Sequence, residues 1–196
     1  MTLSKALVPS QSLLTRAVMV LGGSLFIALA AQVSVPMLPV PMTLQTLAIL
    51  IVGFALGARM GALTLLAYLG EGAMGLPVFA NGMNGIAFFG PTAGFLVGFV
   101  AMAAMVGYAA DKGAKGFLPT ALVALLASAL LYIPGVAWAM SLAELAGIDT
   151  AKWGADNVGM VWQYYMAPFL AGDAVKAVIA ALVVTGGWAA LKNRKA

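Results

Sequence analysis

Residues Tyr165–Leu191 read YMAPFLAGDAVKAVIAALVVTGGWAAL. A helix needs about 20 apolar residues to cross a hydrocarbon core of roughly 30 Å, and this run supplies them. It nevertheless carries Asp173 and Lys176 well inside it, and Pro168 near its start, where proline is tolerated. Five more apolar runs precede it. They are Leu13–Val35, ending before Pro36; Thr43–Leu56, after Pro39-Val40-Pro41; Arg59–Met74; Thr92–Ala110; and Phe117–Met140, which Pro134 can kink. The second and third are short, as suits helices tilted or packed inside a bundle. The expected fold is an all-α membrane protein: six transmembrane helices in a compact bundle, forming a single integral membrane domain over residues 1–196.

Composition agrees. Of 196 residues, 63% are hydrophobic and 8% charged, against roughly 25% charged in soluble domains. So few charges cannot cover a water-facing surface, and the expected neighbour is the lipid bilayer. Cysteine and histidine are absent, which excludes disulfides, thiol chemistry and the usual zinc sites. The net charge of +4 forms no basic stripe, so nucleic acid is not an expected partner. Ala30-Ala31-Gln32 is a weak match to a signal-peptide cleavage site; the many spans that follow favour an uncleaved first helix.

Charge placement orients the bundle. With the N-terminus inside, the inner segments hold Lys5, Arg16, Arg59, Lys112, Lys115, Lys192, Arg194 and Lys195, and the outer loops hold only Lys152. The positive-inside rule predicts this bias, with both termini cytoplasmic. An odd number of spans would destroy it. Two loops then lie outside: the uncharged, glycine-rich Gly75–Pro91, and Glu144–Gln163 with Trp153, Trp162, Asp149 and Asp156. Loops this long are often functional, although Trp and Tyr also serve as interfacial anchors.

Three charges fall within spans: Glu71, Asp173 and Lys176. A charge at the bilayer centre costs at least about 2.5–3.5 kcal/mol, so such groups normally face a bundle interior and carry function. Asp173 and Lys176 are three apart and share a helix face. Lys176 lies near mid-membrane at about 1.5 Å per residue. Mutual neutralisation alone is a weak reason to keep them, since an apolar pair serves structure equally well. The pair therefore marks a polar ligand site, where Lys176 can bind a carboxylate and Asp173 can accept ligand N–H groups or orient Lys176. Glu71, nearer an outer helix end, fits either a snorkelling carboxylate or a role in the site.

Gln45, Asn81, Asn84, Tyr68, Gln163 and Tyr164 are further candidates to line a cavity. Each has a plainer alternative: Gln45 can satisfy backbone freed by Pro41, and Asn81 and Asn84 can form turns. Phe79, Phe88 and Phe89 can form an apolar wall or anchor the loop in the interface. No Walker loop, Gly-rich strand-to-helix turn or nucleophilic triad is present, so neither ATP hydrolysis nor other catalysis is expected, and no cofactor. The first span carries small residues at Gly23, Ser24, Ala28, Ala31 and Ser34, which permit close helix approach.

Several segments together resemble a known family: Val40-Pro41-Met42-Thr43-Leu44-Gln45, Leu56-Gly57-Ala58-Arg59-Met60-Gly61, Tyr68-Leu69, Gly75-Leu76-Pro77-Val78-Phe79, Gly90-Pro91-Thr92-Ala93-Gly94-Phe95 and Gly172-Asp173-Ala174-Val175-Lys176. In this order they resemble BioY, the biotin-specific substrate-capture component of energy-coupling factor transporters, a six-helix membrane protein of similar size. Phe95 stands where that family usually has tyrosine. The resemblance implies biotin as ligand, held near the outer face by the Asp173/Lys176 pair. Lys176 would pair the carboxylate tail, Asp173 the ureido N–H groups, and Asn84 or Gln45 the ureido carbonyl, with Tyr68, Phe79 and Trp162 along the bicyclic body. It also implies a bacterial cytoplasmic membrane, a transmembrane coupling protein and two cytoplasmic ATPases, although some members are thought to work without the ATPases. Small residues on the first helix dock the coupling protein in related proteins, usually as Ala-x-x-x-Ala; here Ser24-x-x-x-Ala28, with Ala31, stands in that place. The competing reading is a self-sufficient secondary transporter of a carboxylate-bearing vitamin, with Asp173 or Glu71 as its ion site.

Overall fold

The computed structural model describes residues 2–8 and 12–193. Arg194 and Lys195, counted among the inner charges, lie outside the described residues. A short helix α1 (Leu3–Leu7) precedes α2 (Leu13–Gln32). The Ser12 hydroxyl opens α2 by accepting the Thr15 N–H at 3.2 Å, which satisfies one of the unpaired donors of a first turn. Helices α3 (Gln45–Leu56), α4 (Ala58–Ala73) and α5 (Ala93–Asp111) follow. The last two, α6 (Phe117–Leu145) and α7 (Val158–Asn193), are continuous. A helix thus lies in each expected segment. Among the described residues, α2, α5, α6 and α7 are long and apolar enough to cross a membrane, and α3 is a shorter apolar helix.

The long helices overrun their expected ends. Helix α6 passes Pro134 and continues to Leu145 through a π-helical turn at Trp138–Leu142. Helix α7 begins at Val158, with a second π turn at Trp162–Met166 just ahead of Pro168. A proline removes one N–H and crowds the carbonyl four residues earlier. Widened turns lie beside both prolines, and the helices do not break there. The irregular part of the Glu144–Gln163 segment is correspondingly shorter than expected.

The turn at residues 33–44 also departs from expectation. It forms a two-stranded antiparallel hairpin, with Ser34 opposite Thr43 and Val35 opposite Met42, closed by Leu44 N–H to Val33 C=O at 3.0 Å. The prolines at 36, 39 and 41 mask a strand pattern only two residues long on each side. The Leu38–Pro39 bond is cis. Residues 75–91 hold two 3-10 turns, Ala80–Gly82 and Gly85–Phe89.

Helix α5 forms the axis and packs on α3, α4 and α6; α7 closes the ring against α3 and α6. Helix α2 lies outside, against α3 and α4, with 11% of its apolar window buried where α5 has 61%. The α3–α4 joint is a single residue, Gly57, at φ +87°, a conformation open mainly to glycine. The Asp111 carboxylate at the end of α5 caps α4, accepting the Ala58 N–H at 3.0 Å. Gly107 lets α5 approach this joint; a Cβ there would overlap the backbone of Gly57 and Ala58. This corner splits one apolar stretch into two short helices. The α3 N-terminus is thereby placed beside α7, at the end of the bundle where the hairpin sits.

Candidate functional site

A cavity of about 290 Å³ lies there, close to the lower bound of small-molecule sites, about 300 Å³. Its walls come from α3 (Gln45, Thr46), α5 (Phe95, Phe99), α6 (Leu131, Tyr132) and α7 (Tyr165, Phe169, Asp173, Lys176). The proline-rich turn at residues 37–43 covers one side, and Phe79, Asn81, Met83 and Pro91 cover the other. The lining is mostly apolar, with its charge at one place.

That place is the α7 pair. The Lys176 ammonium lies 3.4 Å from Asp173 Oδ1, with the two side chains 9% and 16% exposed. Their i, i+3 spacing puts both on the inward face. The other carboxylate oxygen, Oδ2, accepts the Tyr132 hydroxyl at 2.6 Å, and the Phe95 ring packs edge-on to Tyr132, 6.2 Å between centroids. An apolar cavity with an ammonium group at its edge can receive a ligand that has an apolar body and an anionic end.

The expected candidates are distributed as follows. Asp173, Lys176, Gln45 and Phe79 line the cavity. Tyr68 stands behind it, fully buried: its hydroxyl accepts Gln45 Nε2 and donates to the Val78 carbonyl, both at 2.8 Å. Asn84 is turned to local work, its side-chain oxygen accepting the Ile86 N–H at 3.3 Å, and it borders a separate depression with Phe88 and Phe89. Trp162 and Tyr164 are exposed and do not line the cavity. Their neighbour Tyr165 does, 1% exposed, with its hydroxyl donating to the Trp153 carbonyl at 2.9 Å. The π turn decides which of these adjacent aromatics points inward, and residue spacing does not show it. Of the other polar candidates, Asn81 reaches the cavity and accepts the Ser34 hydroxyl at 2.9 Å, while Gln163 is exposed.

Ser24, Ala28 and Ala31, expected to dock a coupling protein, sit against the chain's own helices. All three are buried on the side of α2 that packs against α3 and α4. The Ser24 hydroxyl donates to the Glu71 carboxylate, so Glu71 is held inside the bundle and away from the cavity lining. These small residues are spent on intramolecular packing, and α2 turns Leu21, Leu25 and Leu29 outward instead.

Tyr132, Phe95, Phe99 and Phe169 complete the site, and sequence reasoning did not select them as contacts. Tyr132 left a signal, being the one phenol in residues 117–145 and standing two residues before a proline. The other three are indistinguishable from core aromatics in one dimension.

Comparison with known proteins gives a consistent assignment. A biotin transporter BioY from Rhizobium etli is 36% identical over 166 residues, covering 80% of this chain and 82% of the relative. One from Rhodobacter capsulatus is 35% identical, covering 82% and 85%. A probable biotin transporter BioY from Pyrococcus horikoshii is 35% identical, covering 82% and 90%. Among solved structures, the S-component for biotin from an ECF-type ABC transporter superposes with a TM-score of 0.66 at 21% identity, over 93% of this chain and 92% of that one; the likeness is one of fold. The model of the BioY family matches residues 4–193, and this multi-pass membrane protein belongs to the BioY family.

Proposed function

We propose that this chain is a membrane-embedded biotin-binding substrate-capture component of an energy-coupling factor transporter, taking biotin from the outer face for import. The carrying observation is the mostly apolar cavity of about 290 Å³ with the Lys176–Asp173 pair at its edge. Biotin offers a matching chemistry, an apolar bicycle and a carboxylate tail. Lys176 takes the carboxylate. Gln45, Asn81 and Thr43, among the polar groups lining the cavity, serve the ureido ring, and Phe79, Phe95 and Tyr165 flank the bicycle. Asn84, Trp162 and Tyr164 are not assigned contacts.

In this reading the single membrane domain crosses six times, α3 and α4 being the short spans, with both termini cytoplasmic. The cavity then opens to the outer side. The described basic residues Lys5, Arg16, Arg59, Lys112, Lys115 and Lys192 then fall on the inner side, as the positive-inside rule requires. Energy comes from partners, a transmembrane coupling protein and two cytoplasmic ATPases, which meet the outward leucines of α2 or another lipid-facing surface. Calorimetry of the purified protein tests the capture role. Stoichiometric biotin binding is expected, and no heat with biotin at concentrations that saturate a high-affinity site would overturn it. Uptake into proteoliposomes with and without the ATPases tests the energy source, and ATP-independent uptake driven by an ion gradient would refute the dependence on partners.

A further inference from the structure

Asp173 is engaged before any ligand arrives. Its Oδ2 accepts the Tyr132 hydroxyl at 2.6 Å, while Lys176 stands 3.4 Å from Oδ1. A charge-assisted N–H···O bond is normally about 2.7–2.9 Å long, so the phenol is the closer partner and the ammonium is only loosely held. Among the described residues Lys176 makes no other hydrogen bond, which leaves two of its three donors to the cavity. Tyr132 itself is fixed. It is 8% exposed, packed edge-on by Phe95, and the Phe95 ring occupies space that only glycine leaves open at position 135.

We propose that Tyr132 is a positioning residue that makes the site selective for a free carboxylate over its neutral amide. By donating to Asp173, Tyr132 spreads the aspartate's negative charge and satisfies one of its oxygens. Asp173 then neither draws Lys176 into a tight ion pair nor presents a bare anion to the incoming acid. Lys176 stays available to an anionic ligand. Without the phenol O–H, Asp173 takes up Lys176 and repels a second carboxylate, while a neutral amide meets no such repulsion and gains an acceptor for its N–H. This inference rests on the carboxylate reading of Lys176 given above.

The test measures biotin and biotinamide affinities by calorimetry for the wild type, Tyr132→Phe and Asp173→Asn. In Tyr132→Phe the preference for acid over amide is expected to fall by about tenfold, the lower end of what a hydrogen bond to a charged group carries. Asp173→Asn removes the competing charge and is expected to raise the same preference, so the proposal stays testable even if the tyrosine variant fails to fold. Parallel weakening of both ligands in Tyr132→Phe, or an unchanged preference in either variant, would mean that Tyr132 acts only through packing and would overturn the proposal. A wild type that binds neither ligand would overturn the biotin reading instead.

Discussion

Replacing Lys176 with alanine removes the only cation among the described residues that line the cavity. Two terms follow. The ligand loses its charge-assisted hydrogen bonds, each worth about 1.5–3 kcal/mol when one partner is charged. It also meets the carboxylate of Asp173, whose side chain is 16% exposed and is left hydrogen-bonded to Tyr132. At about 6 Å and an effective dielectric of about 20, two like charges repel by roughly 3 kcal/mol. The terms overlap, because the variant's cavity admits water that screens the second. A combined loss of about 2–4 kcal/mol is therefore expected, or about 30- to 1,000-fold in affinity at 1.36 kcal/mol per decade. Isothermal titration in nanodiscs reads the affinity, and thermal melting of the same sample shows whether the bundle remains folded. Leaving a buried charge unpaired destabilises more than removing both partners. The double variant Lys176→Met with Asp173→Asn is accordingly expected to melt above Lys176→Met alone while still binding biotin weakly. If Lys176→Ala binds biotin within about threefold of wild type, the carboxylate is held elsewhere and the reasoning fails.

Three further outcomes follow from named contacts. Gly72→Ala places a Cβ into the Phe79 ring; overpacking of this kind costs about 1–3 kcal/mol, and both melting temperature and biotin affinity should drop as Phe79 is pushed toward the cavity, whereas unchanged binding would show that Phe79 is not a wall. Gln32 donates to the Ala28 and Phe79 carbonyls and accepts the Gly82 N–H, at 3.1, 3.0 and 3.0 Å; Gln32→Ala should speed hydrogen exchange at residues 79–82 and raise the biotin off-rate, and neither change would be seen if the turn holds by its own 3-10 bonds. The chain has no cysteine, so single-cysteine variants Lys115→Cys and Lys152→Cys are clean probes of orientation; an impermeant maleimide on intact cells should label the second and not the first, and the reverse pattern would invert the topology.

The helical segments were legible because membrane spans have to satisfy their own backbone and be apolar along most of their length. The boundaries were less so. Pro134 read as a kink and Pro168 as lying near a start, and with π turns beside them α6 and α7 run past the expected ends at Met140 and Tyr165. The α7 pair was legible for a different reason: a charge in a span is expensive enough to demand an explanation. The aromatic lining was not. Tyr164 and Tyr165 are adjacent and chemically identical, and only the local helical geometry places the second inward. The small residues on α2 signalled close packing, and Ser24, Ala28 and Ala31 are buried on a helix that packs against α3 and α4.

The covering turn at residues 36–41 bears on how a site within a lipid-surrounded bundle can be closed at all. Irregular backbone at an apolar boundary leaves N–H groups unpaired, at a cost of several kcal/mol each. Pro36, Pro39 and Pro41 supply no N–H, so half the donors of this six-residue turn are absent from the start. The flanking residues are paired through the hairpin and through Leu44 to Val33. On the facing side, the Gln32 carboxamide satisfies the Phe79 carbonyl and the Gly82 N–H. The prolines thus halve the number of backbone donors that this cover over an apolar cavity has to satisfy. The polarity of the site is left to a few deliberate side chains, the charged pair with Tyr132 at one wall and Gln45 tied to Tyr68 at another. A ligand entering this space is selected less by shape, which apolar walls enforce weakly, than by whether its one charged group reaches Lys176 while its body stays dry.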